Sequence, residues 1–167
     1  MPMKADLWFP TVIWNDHLKD VNNAEIQEYV EKLAEEDKVG KVASNYGGWQ
    51  SKSFELLDQK PLAIERFIHT LQRCLNECTK MAGMPDLIIS DWWWNINYHK
   101  DYNQPHNHRD SVLSGVYYID VPEDSDSKIH FDREDEAQYY LPRYMPQRNQ
   151  ITAVRATYTP LNNNVLI

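Results

Sequence analysis

The sequence has little of what three common protein classes require. It carries only 2 cysteines in 167 residues, which does not suggest a disulfide framework. Both Cys74 and Cys78 fall on one face of a helical pattern and read as small buried hydrophobes. A zinc site would need further thiols or a histidine at ligand spacing. No run of Lys or Arg is present, and 17 basic residues face 25 acidic ones for a net charge of -8. That balance argues against nucleic acid as a partner, because such a surface needs a basic patch to displace counterions. No apolar stretch approaches the roughly 20 residues of a membrane helix. The N-terminus, with Lys4 and Asp6 ahead of a short apolar run, shows no signal-peptide core. The expected location is cytoplasmic.

What is present is aromatic and patterned. There are 6 Trp and 10 Tyr, enough to fill a β-rich core or line a pocket. Leu7 to Trp14 reads as an apolar strand limited by Pro10. Asn22 or Asn23 can cap a following helix, in which Ile26, Tyr29, Val30 and Leu33 form one face as far as Glu36. The Gly47-Gly48 pair lies in a loop over 44–51 and suits positive φ or close backbone approach. A second helix begins near Pro61, carries the stripe Ile64, Phe67, Ile68, Leu71, Cys74, Leu75, Cys78 and Ala82, and ends at Gly83 before Pro85.

From residue 86 the character turns to β. Strands are expected over 87–89, 91–98, 112–121, 127–131, 152–158 and 165–167, with an irregular loop over 138–149. No repeat or interdomain linker interrupts the chain, whose length suits one domain over 1–167. It divides into a helix-rich part over 1–85 and a β-core over 86–167. The class is α+β, mainly β, with a sandwich or jelly roll as its core.

The chemistry concentrates between Trp92 and Ile119. His106 and His108, two apart on an extended segment, point to the same side of it, and Asp110 continues the spacing. Two histidines and a carboxylate on one face of an ion make a non-heme Fe(II) site with open positions for substrate and oxygen. The competing reading is a polar loop that happens to hold two histidines. His17 and His69 lack ligand neighbours, and His99 reads as part of a solvated turn. His130-Phe131-Asp132 is a second His-x-Asp in a strand, where an ion pair of Asp132 with nearby Arg133 is the simpler role. Trp93 or Trp94 would wall a pocket, with two of the three tryptophans of 92–94 left to the core.

Five segments, in order, resemble one family of 2-oxoglutarate/Fe(II)-dependent oxygenases, prolyl-hydroxylase-like and known mainly from bacteria and marine phages. They are Leu7-Trp8-Phe9-Pro10-Thr11, Ser44 to Ser51, Trp94-Asn95-Ile96-Asn97, Tyr102 to His108, and Ser114-Gly115-Val116-Tyr117-Tyr118. Each alone is weak, but the ordered combination is specific. The resemblance implies a double-stranded β-helix, a cupin-like jelly roll with N-terminal flanking helices. It also implies Fe(II) and 2-oxoglutarate as cofactors, and hydroxylation of a C–H bond in a peptide or small-molecule substrate. For a phage protein the location would be the host cytoplasm. The first ligand pair is then His106 and His108, with histidine where relatives have a carboxylate, or His108 and Asp110 as a literal His-x-Asp. Asn95, Asn97, Tyr102 and Tyr117 are the residues expected to line the cofactor pocket.

One departure qualifies this expectation. The family continues past a segment like Asn164-Val165-Leu166-Ile167 to a distal histidine, and then to an arginine whose planar fork binds the 2-oxoglutarate carboxylate. Neither lies within these residues, and neither Arg148 nor Arg155 falls at that position. The β-core is thus expected to be incomplete at the C-terminus, with the distal histidine and the arginine lacking. Three expectations follow: a truncated or split product, a second polypeptide that completes the barrel, or metal binding by His106, His108 and Asp110 without oxygenase activity. The last includes a catalytically incomplete binding or assembly module, or a cupin-like metal protein that does not use 2-oxoglutarate. An unpaired sheet edge would favour a homo-oligomer or pairing with a missing C-terminal segment.

Overall fold

The structure, a computed structural model, describes residues 3, 4, 6, 10–133, 144 and 147–167. The expected strand over Leu7-Trp8-Phe9 and most of the expected loop over 138–149 lie outside the described residues. Among the described residues there are two helices, α1 (Asn23–Glu36) and α2 (Leu62–Ala82), and eleven short strands. Every strand pairing among the described residues is antiparallel. That is the expected α+β class, with strands the more numerous elements.

Three of the pairings nest into one long ribbon. Strand β2 (Asn45–Tyr46) pairs with β7 (Tyr102–Asn103), β3 (Trp49–Gln50) with β6 (Asn95–Ile96), and β4 (Phe54–Glu55) with β5 (Asp91–Trp92). Residues 45–55 therefore run antiparallel to residues 91–103, and α2 forms the connection between the two limbs. A three-stranded sheet has the order β1 (Asn15–His17), β11 (Asn164–Leu166), β8 (Val116–Tyr117). A separate pair joins β9 (Ile129–Asp132) to β10 (Arg155–Tyr158).

The core lies where the two helices cover the ribbon. Ile26 and Val30 of α1, and Ile64, Phe67 and Ile68 of α2, pack with Trp49, Phe54 and Trp94 of the ribbon. Their spacing of three and four residues puts them on one helix face, as the apolar pattern requires. Trp49 fills its place without stranding its indole, since Nε1 donates to the Asp37 carbonyl at 2.6 Å. Cys78 is buried and Cys74 half-buried, and burial pushes both thiols up from their ordinary range. Among the described residues no helix is long and apolar enough to cross a membrane.

Several expected elements are corrected. Residues 10–14 carry no strand, which begins instead at Asn15. Residues 87–89 are also irregular. There the Ile89 amide donates to Gln72 Oε1 at 3.0 Å and Gln72 Nε2 donates to the Leu87 carbonyl at 2.8 Å. A helix side chain thus supplies the hydrogen bonds that a neighbouring strand would otherwise provide. The long expected strand over 112–121 is regular only at Val116–Tyr117. Asp132 does form an ion pair at a strand end, but its partner is Arg155, directly opposite in the ladder, with contacts of 2.5 and 2.8 Å. Cross-strand register, invisible in local sequence, makes that choice.

The helix ends follow their residues. Pro61 immediately precedes α2, and Gly83 terminates it in the left-handed conformation with φ 65°. The Met84 amide donates to the Thr79 carbonyl at 2.9 Å and the Gly83 amide to the Lys80 carbonyl at 3.3 Å, a Schellman pairing. Nothing lies within 4 Å of where a Cβ on Gly83 would sit, so any penalty there is conformational rather than steric crowding. Gly83→Ala should lower unfolding free energy by about 1 kcal/mol, measured by urea denaturation. An unchanged midpoint would show that α2 does not depend on this cap.

Candidate metal centre

The site is built outward from three consecutive tryptophans. In an extended chain successive side chains alternate between faces. Trp92 stacks on Phe54 with ring centroids 6.1 Å apart. Trp94 lies against Phe67 at 6.1 Å and meets Tyr29 edge-on at 6.3 Å. Both therefore face the core. Trp93 faces the other way and contacts the His108 ring, with centroids 5.4 Å apart. Two of the three tryptophans pack in the core, as expected, and of Trp93 and Trp94 it is Trp93 that lies beside His108. Among the described residues neither Trp92 Nε1 nor Trp94 Nε1 has a hydrogen-bond partner, and the Lys60 ammonium lies over the Trp92 ring at 5.5 Å.

The ribbon's geometry delivers the two histidines to Trp93. Gly48 holds φ at 61° where the two limbs cross, and a Cβ there would fall 2.6 Å from the Ile96 carbonyl oxygen and 2.7 Å from Asn97 Oδ1. Only glycine allows that approach. Strand β7 then runs directly into Gln104-Pro105-His106.

His106 and His108 sit side by side, ring centroids 4.9 Å apart and planes nearly perpendicular at 85°. Two imidazoles bound at right angles to one ion would have centroids about 4.5 Å apart, from a metal–nitrogen bond of about 2.1 Å. The pair is therefore close to the spacing required of two ligands. His106 is also oriented for the task. Its Nδ1 lies 2.7 Å from the Gln104 carbonyl oxygen, which can only accept. The proton is thereby placed on Nδ1, and Nε2 keeps its lone pair for a metal. His108 is half-buried, and burial lowers its pKa; the neighbouring His106 lowers it further, and Asp91 opposes both. The neutral imidazole, which is the form that binds metal, is favoured.

Asp110 does not continue the row. The Ser111 amide donates to the His108 carbonyl at 3.1 Å, so the chain turns at 108–111 and the two-residue alternation ends at His108. Asp110 is exposed in that turn. Among the described residues no three His, Cys, Asp or Glu side chains gather closely enough to hold an ion. Of the three ligands expected from the sequence, the described residues bring His106 and His108 side by side and leave Asp110 apart. The other His-x-Asp is engaged elsewhere: His130 Nδ1 lies 2.9 Å from Thr157 Oγ1, and Asp132 pairs with Arg155.

The four expected pocket residues occupy different settings. Asn95 and Asn97 are exposed on the ribbon, and Asn97 Nδ2 donates to Asn103 Oδ1 at 3.1 Å. Tyr102 is also exposed and stacks on Tyr46, its ladder partner, at 5.0 Å. Tyr117 is half-buried against Phe67 at 4.8 Å. Its hydroxyl donates to Asn23 Oδ1 at 2.7 Å and accepts from Asn163 Nδ2 at 3.1 Å. Asn23 in turn donates to the Ile119 carbonyl at 2.5 Å, and Asn163 to the Leu18 carbonyl at 3.0 Å. Of the two expected cap candidates, Asn22 holds the N-cap position of α1, without a side-chain cap hydrogen bond, and Asn23 does not cap the helix. Instead it ties the start of α1 to the sheet, over a sequence separation that no local pattern reveals.

Residues 91–167 match the family model described as "Putative 2OG-Fe(II) oxygenase". That match supports the 2-oxoglutarate/Fe(II) oxygenase family to which the sequence motifs point, and it covers the Trp92–Trp94 run and both histidines. No significant match was found among curated proteins or among solved structures.

Tyr117→Phe should destabilise the fold by about 1–3 kcal/mol, because the partly buried Asn23 carbonyl oxygen loses its donor. Chemical denaturation checks the value. A change below a few tenths of a kcal/mol would show that the network contributes no net stability.

Proposed function

We propose that this chain is a 2-oxoglutarate/Fe(II)-dependent oxygenase domain in which His106 and His108 supply two of the iron ligands. The observation that carries the proposal is the paired imidazoles, with His106 Nε2 left free by the Gln104 hydrogen bond, inside the segment that matches the family. The short antiparallel strands are read as parts of a double-stranded β-helix, with α1 and α2 packed on its flank. Iron, when bound, supplies the oxidising chemistry for hydroxylating a C–H bond of a peptide or small-molecule substrate.

The chain's own residues bind, orient and shield. His106 is held in the ligating tautomer by Gln104. His108 is kept largely neutral by its burial against Trp93. The Trp93 indole lies against the His108 ring and shields that ring on one side. Asn95, Asn97 and Tyr102 present exposed amides and a phenol suited to a dicarboxylate cofactor. Tyr117 enters this proposal as a wall, because its hydroxyl is already held by Asn23 and Asn163. Asp110 remains a candidate ligand only if the 108–111 turn opens.

Adding Fe(II) and then 2-oxoglutarate without oxygen should give the weak visible charge-transfer band of such sites, and His108→Ala should remove it. Iron uptake that is unchanged in His106→Ala and His108→Ala would overturn the assignment. Iron uptake through the histidines with no response to 2-oxoglutarate would instead identify a metal-binding protein that does not use it.

A further inference from the structure

A buried amide shares the ribbon face on which the candidate centre is built. Trp49 and Ile96 are ladder partners in β3 and β6, and both pack in or against the core. Successive side chains alternate, so the next pair along the ladder, Gln50 and Asn95, faces the other way. Trp93 lies on that same face, one alternation along from Asn95, with its ring against His108. Gln50 and Trp93 are thus diagonal neighbours across the ladder, a spacing of roughly 7–8 Å that long and aromatic side chains can bridge.

Gln50 is only 5% exposed, yet its side chain makes no hydrogen bond among the described residues. Its main-chain carbonyl is satisfied, accepting from the Lys41 amide at 2.7 Å. The side-chain amide is left with a donor and an acceptor to place. Buried polar groups in native proteins are hydrogen-bonded as a rule, and an exception calls for a reason. Asn95, directly opposite, has no side-chain hydrogen bond among the described residues either. Asn95 is exposed, however, so water serves whichever of its atoms a ligand leaves bare. Gln50 has no such latitude. A carboxylate only accepts; it would serve Nε2 and leave Oε1 unsatisfied, which is unfavourable in a buried place. A ligand that serves both atoms must offer a donor and an acceptor side by side. In an extended peptide the N–H and C=O of one residue point the same way, as they do when an antiparallel pair exchanges both bonds.

We propose that Gln50 is a substrate-recognising residue that holds the backbone of an extended peptide beside Trp93, Nε2 donating to a peptide carbonyl and Oε1 accepting from a peptide N–H. The substrate class is then a peptide and not a small organic acid. This inference rests on the reading of the chain as an oxygenase with His106 and His108 at its centre. Iron there supplies the chemistry, and Gln50 selects what is presented to it.

The experiment is NMR on the metal-free full chain, following the Gln50 side-chain NH2 and the Trp93 indole N–H. The probe is N-acetylglycine N-methylamide. Its comparisons are the ester analogue, in which oxygen replaces the glycine N–H, and acetate. The peptide probe should shift both resonances saturably. The ester should bind about 3- to 10-fold more weakly, the loss expected for one hydrogen bond, and acetate should leave the Gln50 resonance in place. Gln50→Met, which keeps the side-chain length, should lose the peptide-induced Trp93 shift at an unchanged or raised urea midpoint, because no bond within the fold is removed. Equal binding of ester and peptide, an equal response to acetate, or a Trp93 shift that survives in Gln50→Met overturns the role of Gln50. A lowered midpoint in Gln50→Met overturns it as well, by showing that the amide is held within the fold. None of these readouts involves metal. Iron uptake unchanged in His106→Ala and His108→Ala, with peptide binding intact, instead overturns the oxygenase reading and leaves Gln50 in a peptide-binding module.

Discussion

The strict alternation of side chains along Trp92-Trp93-Trp94 is the constraint on which the rest depends. Trp92 and Trp94 bury large apolar surfaces against Phe54, Phe67 and Tyr29. Burying an aromatic of this size is worth several kcal/mol, so this face of the strand cannot be exchanged for the other. A slip of one residue would expose two tryptophans and bury an aspartate. With the core face fixed, Trp93 has one direction left, and it meets His108 there. The packing of the core thus sets the position of the candidate metal centre.

A second restraint holds the assembly together from the other side. Asn23, Tyr117 and Asn163 come from the start of α1, from β8 and from the turn before β11, and their hydrogen bonds close a polar link between helix and sheet. Each donor in it reaches an acceptor, which is the condition for a partly buried polar group to add stability rather than remove it. The link also puts Tyr117 between two jobs. Its ring packs on Phe67 in the core, while its hydroxyl anchors α1, and both roles precede any part it has in binding a ligand.

Much of this was legible in the sequence, for reasons that are local. The α2 stripe and its Gly83 stop follow from helical periodicity and from the left-handed turn that glycine favours. The pairing of His106 with His108 follows from their two-residue spacing, whereas the choice between Trp93 and Trp94 had to wait for the buried face of the run to be known. Features set by long-range pairing were not legible. Nothing near Asp132 announces Arg155, which is chosen by the register of β9 and β10. Asn23 reads as a cap because its partners at 117, 119 and 163 are far along the chain. Residues 87–89 are as apolar as a strand, but the Gln72 side chain satisfies their backbone instead. The expected continuation to Asp110 failed where a turn broke the alternation.

The central claim is that the two imidazoles seated beside Trp93 hold the metal. X-ray absorption on the Fe(II)-loaded chain tests it directly, through the outer-shell scattering that distinguishes imidazole from simple oxygen ligands. The account predicts a nitrogen/oxygen shell with the multiple-scattering signature of two imidazoles, falling to one in His106→Ala. An oxygen-only environment, or a two-imidazole signature that persists in that variant, would contradict it.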